Sequence, residues 1–159
     1  MLPFKSGAMT AIQLNFWMVF ASMLGFGSMV QSTNLDIGIA LGATLGIWGL
    51  PGQVAMIELL STGTPFLAII TASSLANLRF MPMLVIMLPL FQGSKKSHGL
   101  RCVLAQLMSI NIWSITMQKV PSLPINERLP FYLGASCVCL IGGILGTIIG
   151  YVVAGKIPP

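Results

Sequence analysis

Apolar positions dominate this chain and fall into five long stretches, at residues 9–30, 36–60, 65–91, 100–119 and 131–154. Short polar or turn-forming links separate them: QSTNLD, STGT, QGSKKSHG and KVPSLPINERLP. A helix crosses the hydrocarbon of a bilayer in about 20 residues, so each stretch is long enough to span. The pattern predicts helices rather than a barrel, whose strands are shorter and alternate.

Two stretches carry helix breakers near their middles. The second holds Gly-Leu-Pro-Gly-Gln over residues 49–53, and the third holds Asn-Leu-Arg-Phe-Met-Pro over residues 77–82. Proline lacks a backbone donor and crowds the preceding turn, and a glycine costs about 1 kcal/mol within a helix. Backbone groups freed in hydrocarbon must be satisfied by protein or water. The expected architecture is therefore one all-α integral membrane domain over residues 1–159, a compact bundle of about five apolar segments. Two of these are interrupted near the midplane, as half-helices or as a re-entrant hairpin.

Composition sharpens the class. Hydrophobic residues make up 55% of the chain and charged ones only 7%, with mean hydropathy +0.91. Soluble domains carry about 25% charged residues. Eight basic and three acidic side chains do not cover a soluble surface. The formal net charge of +5 does not point to nucleic acid, because the basic residues flank apolar runs as membrane orientation demands. Lys95, Lys96 and Arg101 place the link before the fourth stretch in the cytoplasm, and Lys156 with the C-terminal end on the same side. Lys5 falls outside if every stretch spans, and inside if one interrupted stretch is re-entrant. The three cysteines, Cys102, Cys137 and Cys139, form neither a disulfide framework nor a metal pattern and read as free thiols.

Small residues recur every fourth position at Gly38, Gly42 and Gly46, and again at Gly142, Gly146, Gly150 and Ala154. Such strips let helices approach closely and predict seams, within the chain or with a partner.

Candidate chemistry centres on Arg79, the fifteenth residue of the stretch 65–91. A charge at that depth costs roughly 2.5–3.5 kcal/mol on the lenient insertion scale, and it must face a partner or a wet cavity. Asn77 is expected to cap a half-helix beginning just after it, with Pro82 in the first turn. The guanidinium and the helix N-terminus would then form an anion pocket suited to a carboxylate. A structural ion pair of Arg79 with Glu58 or Asp36 stays open. At the other break, Pro51 suits a first helical turn, Gly49 and Gly52 admit close approach, and Gln53 either meets a ligand or satisfies opened backbone. Glu58 either receives an ammonium or a coupling proton, or lies exposed at the interface. Asp36 reads as a helix N-terminal residue. Trp17, Trp48 and Trp113 either pack in the bundle or line the cavity, packing being the favoured reading. His98 reads as solvated. No catalytic pair, metal cluster or phosphate loop is visible, so neither an enzyme nor a cofactor is expected.

The chain resembles the AzlC-type branched-chain amino acid permease family. The resemblance rests on GFGS at 25–28, LPGQVA at 50–55, STGTP at 61–65, the triplet Asn77-Leu78-Arg79, and the glycine-rich last stretch. It departs where Phe80 follows the arginine in place of the family's frequent histidine, and where Pro51 and Gly52 alter the usual turn. The resemblance implies a secondary exporter of valine, leucine or isoleucine, with methionine a further candidate. It implies the bacterial inner membrane and a small AzlD-type membrane subunit as partner. The substrate carboxylate would sit at Arg79, Asn77 and the half-helix N-termini, with Gln53, Gly49, Gly52 and Trp48 around it. The alternative is a non-transporting scaffold or regulatory subunit in which Arg79 is an ion-pair partner.

Overall fold

The computed structural model describes residues 3–13, 15–91 and 98–156, and every regular element among them is helical. The protein is an all-α membrane bundle, as the apolar pattern requires. Its helices are α1 (Pro3–Gln13), α2 (Asn15–Ser32), α3 (Ile37–Gly46), α4 (Leu50–Ser61), α5 (Phe66–Asn77), α6 (Met81–Met87), α7 (His98–Gln106), α8 (Ile110–Lys119) and α9 (Ile125–Ala154). Large apolar side chains such as Phe66, Leu67 and Val85 are exposed, the inverse of a soluble surface.

The breaks do not all fall where the prolines suggest. The second stretch is interrupted at residues 47–49, as expected. The third is one helical run, Phe66–Phe91, tightened into a 3-10 turn at Leu78–Phe80. Asn77 is therefore the last residue of α5, not the cap of a new half-helix, and α6 follows Phe80 without a side-chain cap. Pro82 lies in the first turn of α6, where its missing N–H is not needed. The second sharp break lies instead in the fourth stretch, where α7 and the helix after it diverge by 110°. Ser109 opens α8 there, its hydroxyl accepting from the Ile112 N–H at 3.4 Å.

The chain forms two compact units. One comprises residues 19–79 and 142–159. Within it α2 and α9 meet at glycines: a Cβ at Gly146 would strike the Phe20 carbonyl, one at Gly150 the Leu24 carbonyl, and one at Gly27 the Thr147 carbonyl. The predicted strip on the last helix is thus a seam within the chain at two of its glycines. The strip on α3 is not such a seam, for Gly42 and Gly46 face open space among the described residues. Asp36 caps α3 by accepting from the Gly38 N–H at 2.6 Å. The Thr44 and Thr147 hydroxyls, both buried, lie 3.3 Å apart, and the Tyr151 hydroxyl donates to the Leu35 carbonyl at 3.1 Å.

The other unit comprises residues 1–18 and 80–141. α1 packs on the early turns of α9, Gly7 against the Phe131 backbone and Gly134 against that of Phe4. Arg128 donates from Nε to the Leu123 carbonyl at 3.0 Å and from Nη1 to the Leu90 carbonyl at 2.9 Å. Buried Tyr132 donates to the Leu104 carbonyl at 2.7 Å, its ring edge-on to Phe91. Trp17 does not pack inside: it is 60% exposed, with Phe16 edge-on at 5.3 Å. Cys102 and Cys137 are exposed and Cys139 is buried, all three as free thiols. Lys95 and Lys96, and the side chain of His98, lie outside the described residues.

Candidate binding site at a helix break

The site is built where α3 stops and α4 starts. α3 closes with the Ile47 N–H donating to the Ala43 carbonyl at 2.9 Å. Trp48 then takes a left-handed backbone, φ 41°, and Gly49 an extended one, which redirects the chain into α4. Pro51 occupies the first turn of α4, and no side chain caps that end. The first-turn N–H groups of an uncapped helix are donors at the positive end of the helix dipole.

Asn77 closes the site from α5. A Cβ at Gly49 or Gly52 would overlap its amide, so both glycines are needed for this approach. One turn earlier on α5, buried Ser73 donates to the Gly52 carbonyl at 2.9 Å and clamps α5 to α4. Gln53, fully buried, donates from Nε2 to the Ala43 carbonyl at 3.2 Å, which ties α4 back to the end of α3. This bond fixes the amide and leaves Oε1 buried without a partner. Asn77 Oδ1 is in the same condition. An unmet buried acceptor costs about 1–3 kcal/mol. Two of them beside one uncapped helix start are the chemical signature of the site.

Gly49, Gly52, Gln53 and Asn77 are thus brought together, while the ring of Trp48 packs against Gly143. Arg79 and Glu58 are not part of this cluster. Arg79 follows Asn77 by two residues inside the 3-10 turn and is exposed. At three residues per turn, that spacing projects it away from the Asn77 direction. Glu58 is exposed towards the end of α4. Ser73 was missed in the sequence, although its place one helical turn before Asn77 was a usable signal. The break before α8 was missed as well; there Trp113 Nε1 is buried without a partner. A separate hollow lined by Ile12, Phe16, Trp17, Val138 and Ile141 is wholly apolar and holds none of these residues.

Compared with known families, the chain matches the sequence model described as AzlC protein over residues 16–157. Comparison with curated proteins and with solved structures found no match.

Proposed function

The chain belongs to the AzlC family, and from that premise we propose that it is a transport subunit exporting branched-chain or similar apolar amino acids across the bacterial inner membrane. The family supports a role in branched-chain amino acid transport and a multi-pass membrane protein. Export, the substrate set of valine, leucine, isoleucine and methionine, and a small AzlD-type partner subunit are our reading.

The observation that carries it is the pair of unmet, buried amide oxygens at the start of α4. Gln53 Oε1 and Asn77 Oδ1 are acceptors, so they suit an ammonium group. The uncapped N–H groups of the first turn suit a carboxylate. A zwitterionic amino acid brings both groups on one carbon. Arg79, exposed two residues beyond Asn77 and outside this cluster, attracts the carboxylate from a distance and does not hold it. This departs from the sequence-based expectation: Asn77 and Gln53 take the ammonium, not the carboxylate, and neither Glu58 nor the Trp48 ring belongs to the pocket. Movement about the break at residues 47–49 then exposes the site to either face.

Efflux of preloaded valine, leucine, isoleucine and methionine from cells tests the reading. Asn77→Leu removes an acceptor for a charged group, worth about 1.5–3 kcal/mol, and lowers efflux roughly 10- to 100-fold at unchanged membrane abundance. Arg79→Gln, outside the cluster, lowers efflux less than Asn77→Leu does, with the protein still accumulating. Wild-type efflux by Asn77→Leu overturns the pocket, and wild-type efflux by Arg79→Gln removes that residue from the transport reading. The exposure of Arg79 favours one other reading, a non-transporting scaffold or regulatory subunit whose guanidinium pairs with an acid of the partner. In that case Arg79→Gln lowers the amount of assembled complex and leaves efflux per complex unchanged.

A further inference from the structure

We propose that Gln53, locked in one orientation by the Ala43 carbonyl, makes the pocket select its ligand by the protons the ligand brings. It takes an apolar acid with a protonated α-amine and turns away the 2-oxo acid of the same carbon skeleton. The proposal rests on the transport reading above and deepens it, because it names the substrate group that is selected and the bond of the fold that does the selecting. Every residue in it belongs to the unit of residues 19–79 and 142–159.

The polarity of the Gln53 amide is dictated by its partner. A carbonyl has no proton to give, so the amide atom facing Ala43 is the nitrogen, at 3.2 Å. The same carbonyl accepts from the Ile47 N–H at 2.9 Å, so both of its lone pairs are in use. It thus closes α3 and holds a side chain on the far side of the break. With the nitrogen held there, the amide atom left to face a ligand is Oε1, an acceptor without a partner on a fully buried side chain. Turning the amide over would set oxygen against oxygen at Ala43.

The surroundings supply no proton for that oxygen. The buried hydroxyls of this unit, among the described residues, are those of Thr44, Ser73 and Thr147. Thr44 donates to the Ala40 carbonyl, Ser73 to the Gly52 carbonyl and Thr147 to the Gly143 carbonyl, each at 2.9 Å. A hydroxyl has one proton, and each of these is committed to backbone. The titratable side chains of the unit lie elsewhere. Asp36 caps the opposite end of α3, the Tyr151 hydroxyl donates to Leu35 beside it, and Glu58, Arg79 and Lys156 are exposed. Asn77 Oδ1, set against Gly49 and Gly52, is a second acceptor without a partner. The pocket is rich in acceptors and short of side-chain donors, so the missing protons must arrive with the ligand.

An α-ammonium brings three N–H donors and a positive charge, and satisfies both oxygens with charge-assisted bonds. A hydroxyl on the same carbon brings one donor and satisfies one oxygen. A 2-oxo group brings none and adds a further acceptor. Carboxylate and aliphatic chain are the same in all three, so the first turn of α4 does not tell them apart, whereas Gln53 and Asn77 do. A site built to hydrogen-bond one group rejects the analogue lacking it far more strongly than an apolar pocket rejects a missing methylene.

The test is displacement of radiolabelled L-leucine, at neutral pH, from membranes of cells that carry the chain. The competitors are unlabelled L-leucine, 2-hydroxy-4-methylpentanoate and 4-methyl-2-oxopentanoate. The hydroxy acid should compete about 10-fold less well than leucine, and the oxo acid about 100-fold less well or worse. Gln53→Met keeps the length of the side chain and removes both polar atoms. There leucine weakens and the oxo acid does not, so the ratio between them shrinks roughly 10-fold. A general disturbance of the fold would weaken all three together and leave that ratio in place. An oxo acid that competes within about 10-fold of leucine on the wild-type chain overturns the proposal and leaves the transport reading standing. A ratio that does not shrink in Gln53→Met does the same. Absence of saturable leucine binding overturns both. Should Gln53→Met fail to accumulate, the wild-type series decides alone.

Discussion

The two helix breaks do the same mechanical job with different chemistry. Before α4 the turn is made by backbone: Trp48 left-handed, Gly49 extended and Pro51 in the first turn, with no side-chain cap. Before α8 the turn is closed by a side chain, the Ser109 hydroxyl accepting from Ile112 N–H. The first break therefore leaves helix-end donors open next to two unmet amide oxygens, and the second spends part of its end on itself. That contrast teaches which break suits a ligand. An uncapped end with buried acceptors is costly unless something fills it, whereas a capped end is a finished piece of structure.

Substitutions at the two breaks should separate accordingly. The largest effect is expected at Gly52→Val, whose Cβ would overlap the Asn77 amide. Amino acid efflux should fall below a tenth of wild type, measured per unit of membrane protein, and efflux near wild type would remove the close approach of α5 to α4 from the mechanism. An intermediate effect is expected at Ser109→Ala. Loss of that cap should cost about 1 kcal/mol of stability, read as a lowered melting temperature in detergent, with efflux per folded molecule unchanged; Ser109→Asp should restore the melting temperature. The smallest is Trp113→Phe, which keeps a ring and deletes a buried donor without a partner. Removing an unmet polar group is close to neutral or mildly stabilising, so both efflux and melting temperature should hold. A large loss of efflux there would erase the functional difference between the breaks.

How much of this could be read from the chain varies with the kind of signal. Asp36 before an apolar run and Gly-Leu-Pro-Gly at 49–52 are local punctuation, and both are realised as a cap and a break. The glycine spacing at 146 and 150 also carried its meaning, because a strip every fourth residue is a property of one helix face. The break at 107–109 was not legible: Gln-Leu-Met-Ser has no glycine or proline, and only the Ser109 cap marks it. Pro82 was read rightly as a first-turn residue, but the interruption expected beside it is only a 3-10 turn within one helical run. Pro130 lies inside a helix that runs on to Ala154. The site was half legible. Residues flanking a break are visible in sequence, so Gly49, Gly52, Gln53 and Asn77 stood out. Which of them meet is decided by helix phase and tertiary contact, and that is why Asn77 joined the break while Arg79, two positions on, did not.

Trp48 holds one of the two left-handed non-glycine backbones among the described residues, a conformation costing on the order of 1–3 kcal/mol. Its indole rests against Gly143, where even a methyl group would collide with the ring. The ring thus works as a wedge in a notch: the following half-helix cannot swivel about its own axis without lifting the indole out. Filling the notch would loosen the bend as surely as removing the wedge.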